Sequence, residues 1–332
     1  MNYILLALGL VILIKGADIL VEGASKIAKI LKVPTFIVGL FIVALGTSAP
    51  ETAIGITTGI QNTNLLTLGT VIGSNIANIA LVMGITAMAM PLTIDSLVAK
   101  REMPILLGVN VVFIVMLLTG NTLTRLEAII LLLGMFVFLG YVVSKTKDVL
   151  KDEEPDTEFE EDIYEYIEDQ KVLSKIKGRG RKKDLPKAIV LVIVGLLALI
   201  GGANLAVDNA VVIATNLGLS QEFIGLTIIA FGTSLPELVT CLVAVYKKED
   251  DIAIGNVIGS NIMNILLVIG VSSLIRPIVI DLVILYDVLV MFALTIILMI
   301  PIFFQGRISR KWGAFLLAFY LIFLVVKISF LG

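Results

Sequence analysis

Two short segments hold the residues with chemistry to offer, GTSAPE at 46–51 and GTSLPE at 232–237. Each sets a glycine, two hydroxyls, a proline and a glutamate inside an otherwise apolar run. Pro50 has no N–H, and its ring collides with the carbonyl four residues earlier, that of Gly46. A helix must open there, glycine tolerates the distortion, and carbonyls between Ala44 and Thr47 are expected to lose their usual partners. Thr47 and Glu51, four residues apart, share a face of any helical turn. A neighbouring motif adds oxygens: Ser74 and Asn78 in GTVIGSNIANI, and Ser260 and Asn264 in GNVIGSNIMNI, each pair four apart. Read singly, such motifs are proline kinks and interhelical polar glue.

Read together, Glu51, Glu237, the hydroxyls of Thr47, Ser48, Thr233 and Ser234, Ser74, Ser260, Asn78 and Asn264 form a set of hard oxygens. Its fixed charge is −2 if both glutamates ionise. Calcium accepts about six to eight oxygens in adaptable geometry, whereas magnesium demands a tight octahedron and keeps its water. Two carboxylates in a dry site repel unless a cation lies between them. One Ca²⁺ neutralises the pair, as several Na⁺ nearly would or with some excess, which makes mutually exclusive occupancy natural.

The elements that must carry these residues are membrane helices. The chain has 332 residues, 58% hydrophobic and 16% charged, with a mean hydropathy of +1.05. That much apolar surface excludes a soluble domain. The run MNYILLALGLVILIKGADIL lacks a basic leader and a small-residue cleavage site, and reads as a first helix. There is no histidine and one cysteine, Cys241, which excludes histidine-ligated metal and haem sites, histidine proton relays, an internal disulfide and multi-cysteine metal sites. With no nucleophile–base pair beside a ligand cluster, an enzyme is not expected.

At about 20 apolar residues per span, the pattern predicts ten segments, roughly 3–28, 33–60, 65–90, 103–120 and 124–144, then 187–214, 219–246, 251–274, 282–304 and 312–330. The halves repeat at a constant offset of 186 residues: Gly16-Ala17 with Gly202-Ala203, GTS with GTS, and VIGSNI at 71–76 with the identical run at 257–262. This is the mark of duplication. Equivalent turns differ in charge. Lys26, Lys29 and Lys32 follow the first span, whereas the matching TNLGLSQ has no basic residue. The turn QNTNLL is uncharged, whereas its partner holds Lys247 and Lys248. Copies of opposite orientation explain both. The bias of Lys and Arg toward the cytoplasm then puts both termini outside and the central loop inside, leaving only Arg125, Arg276 and Lys327 on the outer side. Discontinuous helices at matching positions of two such halves are the expected pointer to a midplane site. Inverted duplication also favours alternating access over a cation channel.

Other charges are read more plainly. Asp18, Glu22 and Asp208 lie in spans 1 and 6 and suit gating or interhelical pairing, with Lys15 as a partner. The long apolar runs of those spans, with glycines at 16, 23, 201 and 202, suit sliding helices. The acidic run 152–169 and the basic run 175–183 read as a solvated linker, without EF-hand spacing and too short for a regulatory β-sandwich.

GTSxPE paired with GSNxxN, twice and inverted, resembles the α-repeats of the sodium/calcium exchangers within the calcium/cation antiporter superfamily, over 1–144 and 187–330. The resemblance implies an all-α polytopic membrane protein in which ten transmembrane helices form two inverted five-helix repeats, 1–144 and 187–332, around a cytoplasmic linker, 145–186. Spans 2, 3, 7 and 8 would form the core and the broken helices the central ion site. It implies a secondary antiporter of the plasma membrane exchanging Na⁺ for Ca²⁺, with a Ca²⁺/H⁺ exchanger as the nearest alternative. By motif position Glu51 and Glu237 would bind both ions, and the carbonyls of Thr47 and Thr233 would complete the Ca²⁺ shell. The carbonyls of Ala44 and Ala230, with Ser48, Ser74, Ser234 and Ser260, would serve Na⁺, and Asn78 and Asn264 would line the middle. The expected partners are those ions and the lipid bilayer, with no nucleic acid and no cofactor beyond the transported ions. Asn264, where potassium-dependent members carry Asp, argues against K⁺ co-transport, and the exchange of Thr70 for Asn256 between the halves is expected to be peripheral to the ions.

Overall fold

A computed structural model of the chain describes residues 1–31, 33–61, 64–94, 96–120, 122–151, 184–219 and 230–331 except 281, with Ile224 and Ile228. The charged runs of the linker, 152–169 and 175–183, lie outside the described residues. The elements are α1 (Asn2–Leu31), α2 (Thr35–Val38), α3 (Ala44–Thr47), α4 (Ala49–Gln61), α5 (Asn64–Ala77), α6 (Met83–Ala89), α7 (Ser96–Thr119) and α8 (Arg125–Lys151). The second half supplies α9 (Leu185–Asn216), α10 (Ala230–Thr233), α11 (Leu235–Tyr246), α12 (Asp250–Met263), α13 (Gly270–Ile275), α14 (Leu282–Gln305) and α15 (Arg310–Leu331). Among the described residues, π-helical turns join pieces of longer helices at Gly39–Val43 between α2 and α3, Asn78–Val82 between α5 and α6, and Asn264–Ile269 between α12 and α13.

Among the described residues, eight helices are long and apolar enough to cross a membrane. A further bent pair, Thr35–Thr47 with Ala49–Gln61, turns by 44°. The segment expected at 219–246 is represented by α10 and the apolar α11, its start lying mostly outside the described residues. Some boundaries move. The helix expected to end at 144 runs on to Lys151, and the one expected from 103 begins at Ser96.

The duplication is visible in the elements themselves. At the same 186-residue offset α4 corresponds to α11, α5 to α12 and α7 to α14, and the π turns begin at Asn78 and Asn264. Pairing is reciprocal, as at a two-fold interface. Strand β1 (Leu92–Thr93) pairs antiparallel with β4 (Arg307–Ile308), and β2 (Thr122–Leu123) with β3 (Ile278–Val279). These two-residue ladders were not expected in an all-α chain. Backbone N–H and C=O groups must be paired wherever water is scarce, and the chain does so where Pro91, Gly120, Pro277 and Gly306 interrupt its helices. Gly306 takes φ 61°, which a side chain resists.

Two layers differ in burial. The spans containing α5 and α12 are 83% and 94% buried, against 33% for α1 and α9, so the former are the core and the latter face outward. Helices α1 and α9 press backbone to backbone through glycines: a Cβ on Gly9 would sit 2.6 Å from the Ala206 nitrogen, and one on Gly195 2.5 Å from that of Leu20. Gly16 against Leu199 and Gly202 against Leu13 are closer still, and the four contacts are reciprocal under the offset. The two helices are therefore one tightly joined pair, in the small-residue packing that membranes favour. Gly201, read as part of that surface, has nothing within 4 Å among the described residues. Gly255 and Gly259 admit the backbone of Phe36 and Leu40 in the same way. Gly69 and Gly73 meet nothing within 4 Å, and the positions equivalent to Phe36 and Leu40, 222 and 226, lie outside the described residues.

Candidate cation site

The break in each motif is narrow. Ser48 has φ −83° and ψ 7°, and Ser234 has φ −89° and ψ 4°, so one residue in each leaves helical geometry two positions before the proline. Opening across Ala44 to Thr47 was expected, yet Ser48 N–H still donates to the Ala44 carbonyl at 2.9 Å. Pro50 cannot serve the Gly46 carbonyl, and a backbone N–H at the end of α3 takes it instead. A carbonyl oxygen has two lone pairs, so the Ala44 oxygen can still accept the Thr47 hydroxyl at 3.4 Å or a cation. The consequence of the break is directional, because it turns the first residues of α4 and α11, with Glu51 and Glu237, into the core.

Both carboxylates are 1% exposed. Glu51 Oε1 accepts a hydrogen bond from Ser74 Oγ at 3.3 Å. Glu51 Oε2, both oxygens of Glu237, the hydroxyls of Ser48 and Ser234, and both polar atoms of Asn78 are buried without a hydrogen-bond partner among the described residues. Thr47 is fully buried; its hydroxyl donates to Asn256 Oδ1 at 2.9 Å and lies 3.4 Å from Ser260 Oγ. Thr233 is half-buried, and Ala230 opens α10. Asn264 Nδ2 donates to Asn75 Oδ1 at 3.0 Å, and Asn75 Nδ2 to the Asn261 carbonyl at 3.2 Å. That carbonyl lies just before the π turn that begins at Asn264, where the regular helical ladder is interrupted.

Three residues at this centre were not foreseen. Asn256 is fully buried and hydrogen-bonded to Thr47, whereas its counterpart Thr70 is half-buried. Asn75 and Asn261 cross-link the core helices, and their recurrence in the two identical VIGSNI runs was the signal that could have found them. The charges of α1 and α9 are engaged elsewhere or exposed. Asp18 pairs with Lys247 at 2.7 Å rather than with Lys15, Glu22 pairs with Lys26, and Asp208 is exposed. Ser25 and Lys29 reach Glu249 in the same turn, at 2.5 and 4.0 Å.

Chemically, this is a buried nest of oxygens with few acids. Among the described residues, no three acidic, cysteine or histidine side chains are grouped so that they alone could hold a metal ion. Each unpaired polar group at such depth costs several kcal/mol, and an isolated buried carboxylate more. Two carboxylates ringed by hydroxyls and amides with free lone pairs suit dehydrated hard cations, whose charge and oxygen preference answer both costs.

Comparison with known proteins agrees with that chemistry. Residues 1–144 and 187–329 match the sodium/calcium exchanger protein family. The chain is 36% identical to the sodium/calcium exchanger MaX1 of Methanosarcina acetivorans, covering 98% of both chains. It is 40% identical to the putative antiporter CaxA of Alkalimonas amylolytica, covering 95% of this chain and 94% of that one. A solved sodium/calcium exchanger from Methanococcus jannaschii superposes with a TM-score of 0.80 at 28% identity, over 98% of this chain and 97% of the other. The chain, a helical membrane protein with its oxygen-rich motifs buried in the core, therefore belongs to the sodium/calcium exchanger family.

Proposed function

We propose that this chain exchanges Na⁺ for Ca²⁺ across the plasma membrane by alternating access at a single midplane site. The observation that carries the reading is the pair of buried carboxylates, Glu51 and Glu237, with three of their four oxygens lacking a partner. Ca²⁺ is held by both carboxylates with the carbonyls of Thr47 and Thr233. Na⁺ takes overlapping positions that add Ser48, Ser74, Ser234, Ser260 and the carbonyls of Ala44 and Ala230. Asn78 and Asn264 line the middle. Because either cargo neutralises the same carboxylates, the two ions compete, and that competition couples their movements.

The scaffold in this reading is ten spans in two inverted repeats, supported by the reciprocal strand pairing and the recurrence of elements at one offset. Both termini face outside and the central loop faces the cytoplasm, as the distribution of basic residues suggests. The joined pair α1 and α9 moves as one body across the core, exposing the site to one side and then the other. Asn264 is neutral, which supports transport without K⁺.

The test is ⁴⁵Ca²⁺ uptake into proteoliposomes under imposed Na⁺, H⁺ or K⁺ gradients. Uptake driven by outward Na⁺ gradients is expected. Uptake that follows a pH gradient and ignores Na⁺ would establish a Ca²⁺/H⁺ exchanger instead.

A further inference from the structure

The chain's single cysteine has a place in the core. Cys241 is buried one helical turn beyond Glu237, and it sits in a chain of hydrogen bonds that starts at the cation site. Thr47 Oγ1 donates to Asn256 Oδ1 at 2.9 Å, Asn256 Nδ2 donates to Cys241 Sγ at 3.6 Å, and Cys241 Sγ donates to the Ala253 carbonyl at 3.5 Å. A backbone carbonyl only accepts, so the chain has one polarity: every proton points away from the site. Thr47 therefore gives its hydroxyl proton to Asn256, and its oxygen keeps its lone pairs for Ser260 or a cation. Without Asn256 the hydroxyl would be free to turn toward the Ala44 carbonyl at 3.4 Å, spending its proton on another ligand oxygen.

The other half differs at each of these positions. At the positions of Asn256, Cys241 and Ala253 it carries Thr70, Gly55 and Thr67. Gly55 has no side chain to orient an amide, and the Thr67 hydroxyl is engaged with Thr58 and with Ser272 at 3.1 Å. We propose that Asn256, oriented by Cys241, is a positioning residue for cation recognition, holding the Thr47 hydroxyl, beside its carbonyl, as an oriented lone-pair donor. This rests on the reading of Glu51 and Glu237 as the cation site.

The experiment measures half-saturating Ca²⁺ and maximal exchange rate in proteoliposomes for Asn256→Val, Cys241→Ala, Cys241→Ser, Thr47→Val, the double variant Thr47→Val/Asn256→Val, and Glu51→Gln. Asn256→Val and Cys241→Ala should raise half-saturating Ca²⁺ by about 3- to 10-fold, the range spanned by one buried hydrogen bond, with the maximal rate kept. Cys241→Ser, close to cysteine in shape and, unlike the alanine, able to accept and donate, should restore the wild-type value. The double variant should be no worse than Thr47→Val alone, because Asn256 acts only through that hydroxyl. An unchanged half-saturation in Asn256→Val, additive effects in the double variant, or a serine as impaired as the alanine would overturn the proposal. If Asn256→Val fails to fold, the serine–alanine comparison at 241 decides alone. Normal exchange by Glu51→Gln would sink the cation site itself; an inactive Glu51→Gln beside a wild-type Asn256→Val would sink only the positioning role.

Discussion

Replacing Glu51 with glutamine removes one charge from the site while keeping its shape, and the structure sets the size of the effect. The carboxylate is 1% exposed, with one oxygen on Ser74 and the other without a partner. Leaving a buried charge without its opposite costs about 3–5 kcal/mol, so Ca²⁺ affinity should fall by about 10² to 10³·⁵ at about 1.4 kcal/mol per decade. Thermal unfolding in detergent reads this without transport. At Ca²⁺ one hundred times the wild-type Kd, binding stabilises the native state by about 2.7 kcal/mol. At that concentration the variant is at most half occupied, and the stabilisation drops to about 0.4 kcal/mol or less. The ion-free variant should be at least as stable as the wild type, because glutamine is cheaper to bury than an ionised carboxylate. Glu237→Gln should behave alike, since its carboxylate is as deeply buried. A full Ca²⁺-dependent shift in Glu51→Gln would refute the reasoning.

Further outcomes concern the parts around the site. Gly16→Val drives a side chain into the backbone at Leu199 and should both destabilise the protein by about 1–3 kcal/mol and block exchange, read by thermal unfolding and ⁴⁵Ca²⁺ flux. Ser74→Ala removes the hydroxyl that donates to Glu51 at 3.3 Å and should raise half-saturating Na⁺ more than half-saturating Ca²⁺. Lys247→Met breaks the part-exposed pair with Asp18 and should lower stability by only about 0.2–1 kcal/mol, a difference that shrinks as salt is added.

The motifs that meet at the core were legible because they repeat. A lone GTSAPE is ambiguous between a kink and a ligand, but its recurrence at a constant offset with GSNxxN marks one centre, and the burial of Glu51, Thr47, Ser74, Glu237 and Ser260 accords with that marking. Asn256 was missed for the converse reason. It is where the halves differ, and repeat-based reasoning discounts differences, although the hydrogen bond to Thr47 exists only because of one. The extent of the break was overestimated from proline chemistry alone, since the helix compensates locally through Ser48 and the end of α3. The partner of Asp18 could not be read from its neighbours in sequence, because Lys247 lies 229 positions away and only tertiary packing brings it to α1. The four β-residue pairs were illegible because each strand is too short to show alternation.

The central claim is that one carboxylate-based site couples Ca²⁺ to Na⁺. It is tested most directly by ⁴⁵Ca²⁺ uptake into Na⁺-loaded proteoliposomes diluted into Na⁺-free buffer, with the wild type and Glu51→Gln side by side. Uptake by the wild type that requires internal Na⁺ and is abolished in the variant is the expected result. Equal uptake with and without internal Na⁺, or undiminished uptake by Glu51→Gln, would contradict it.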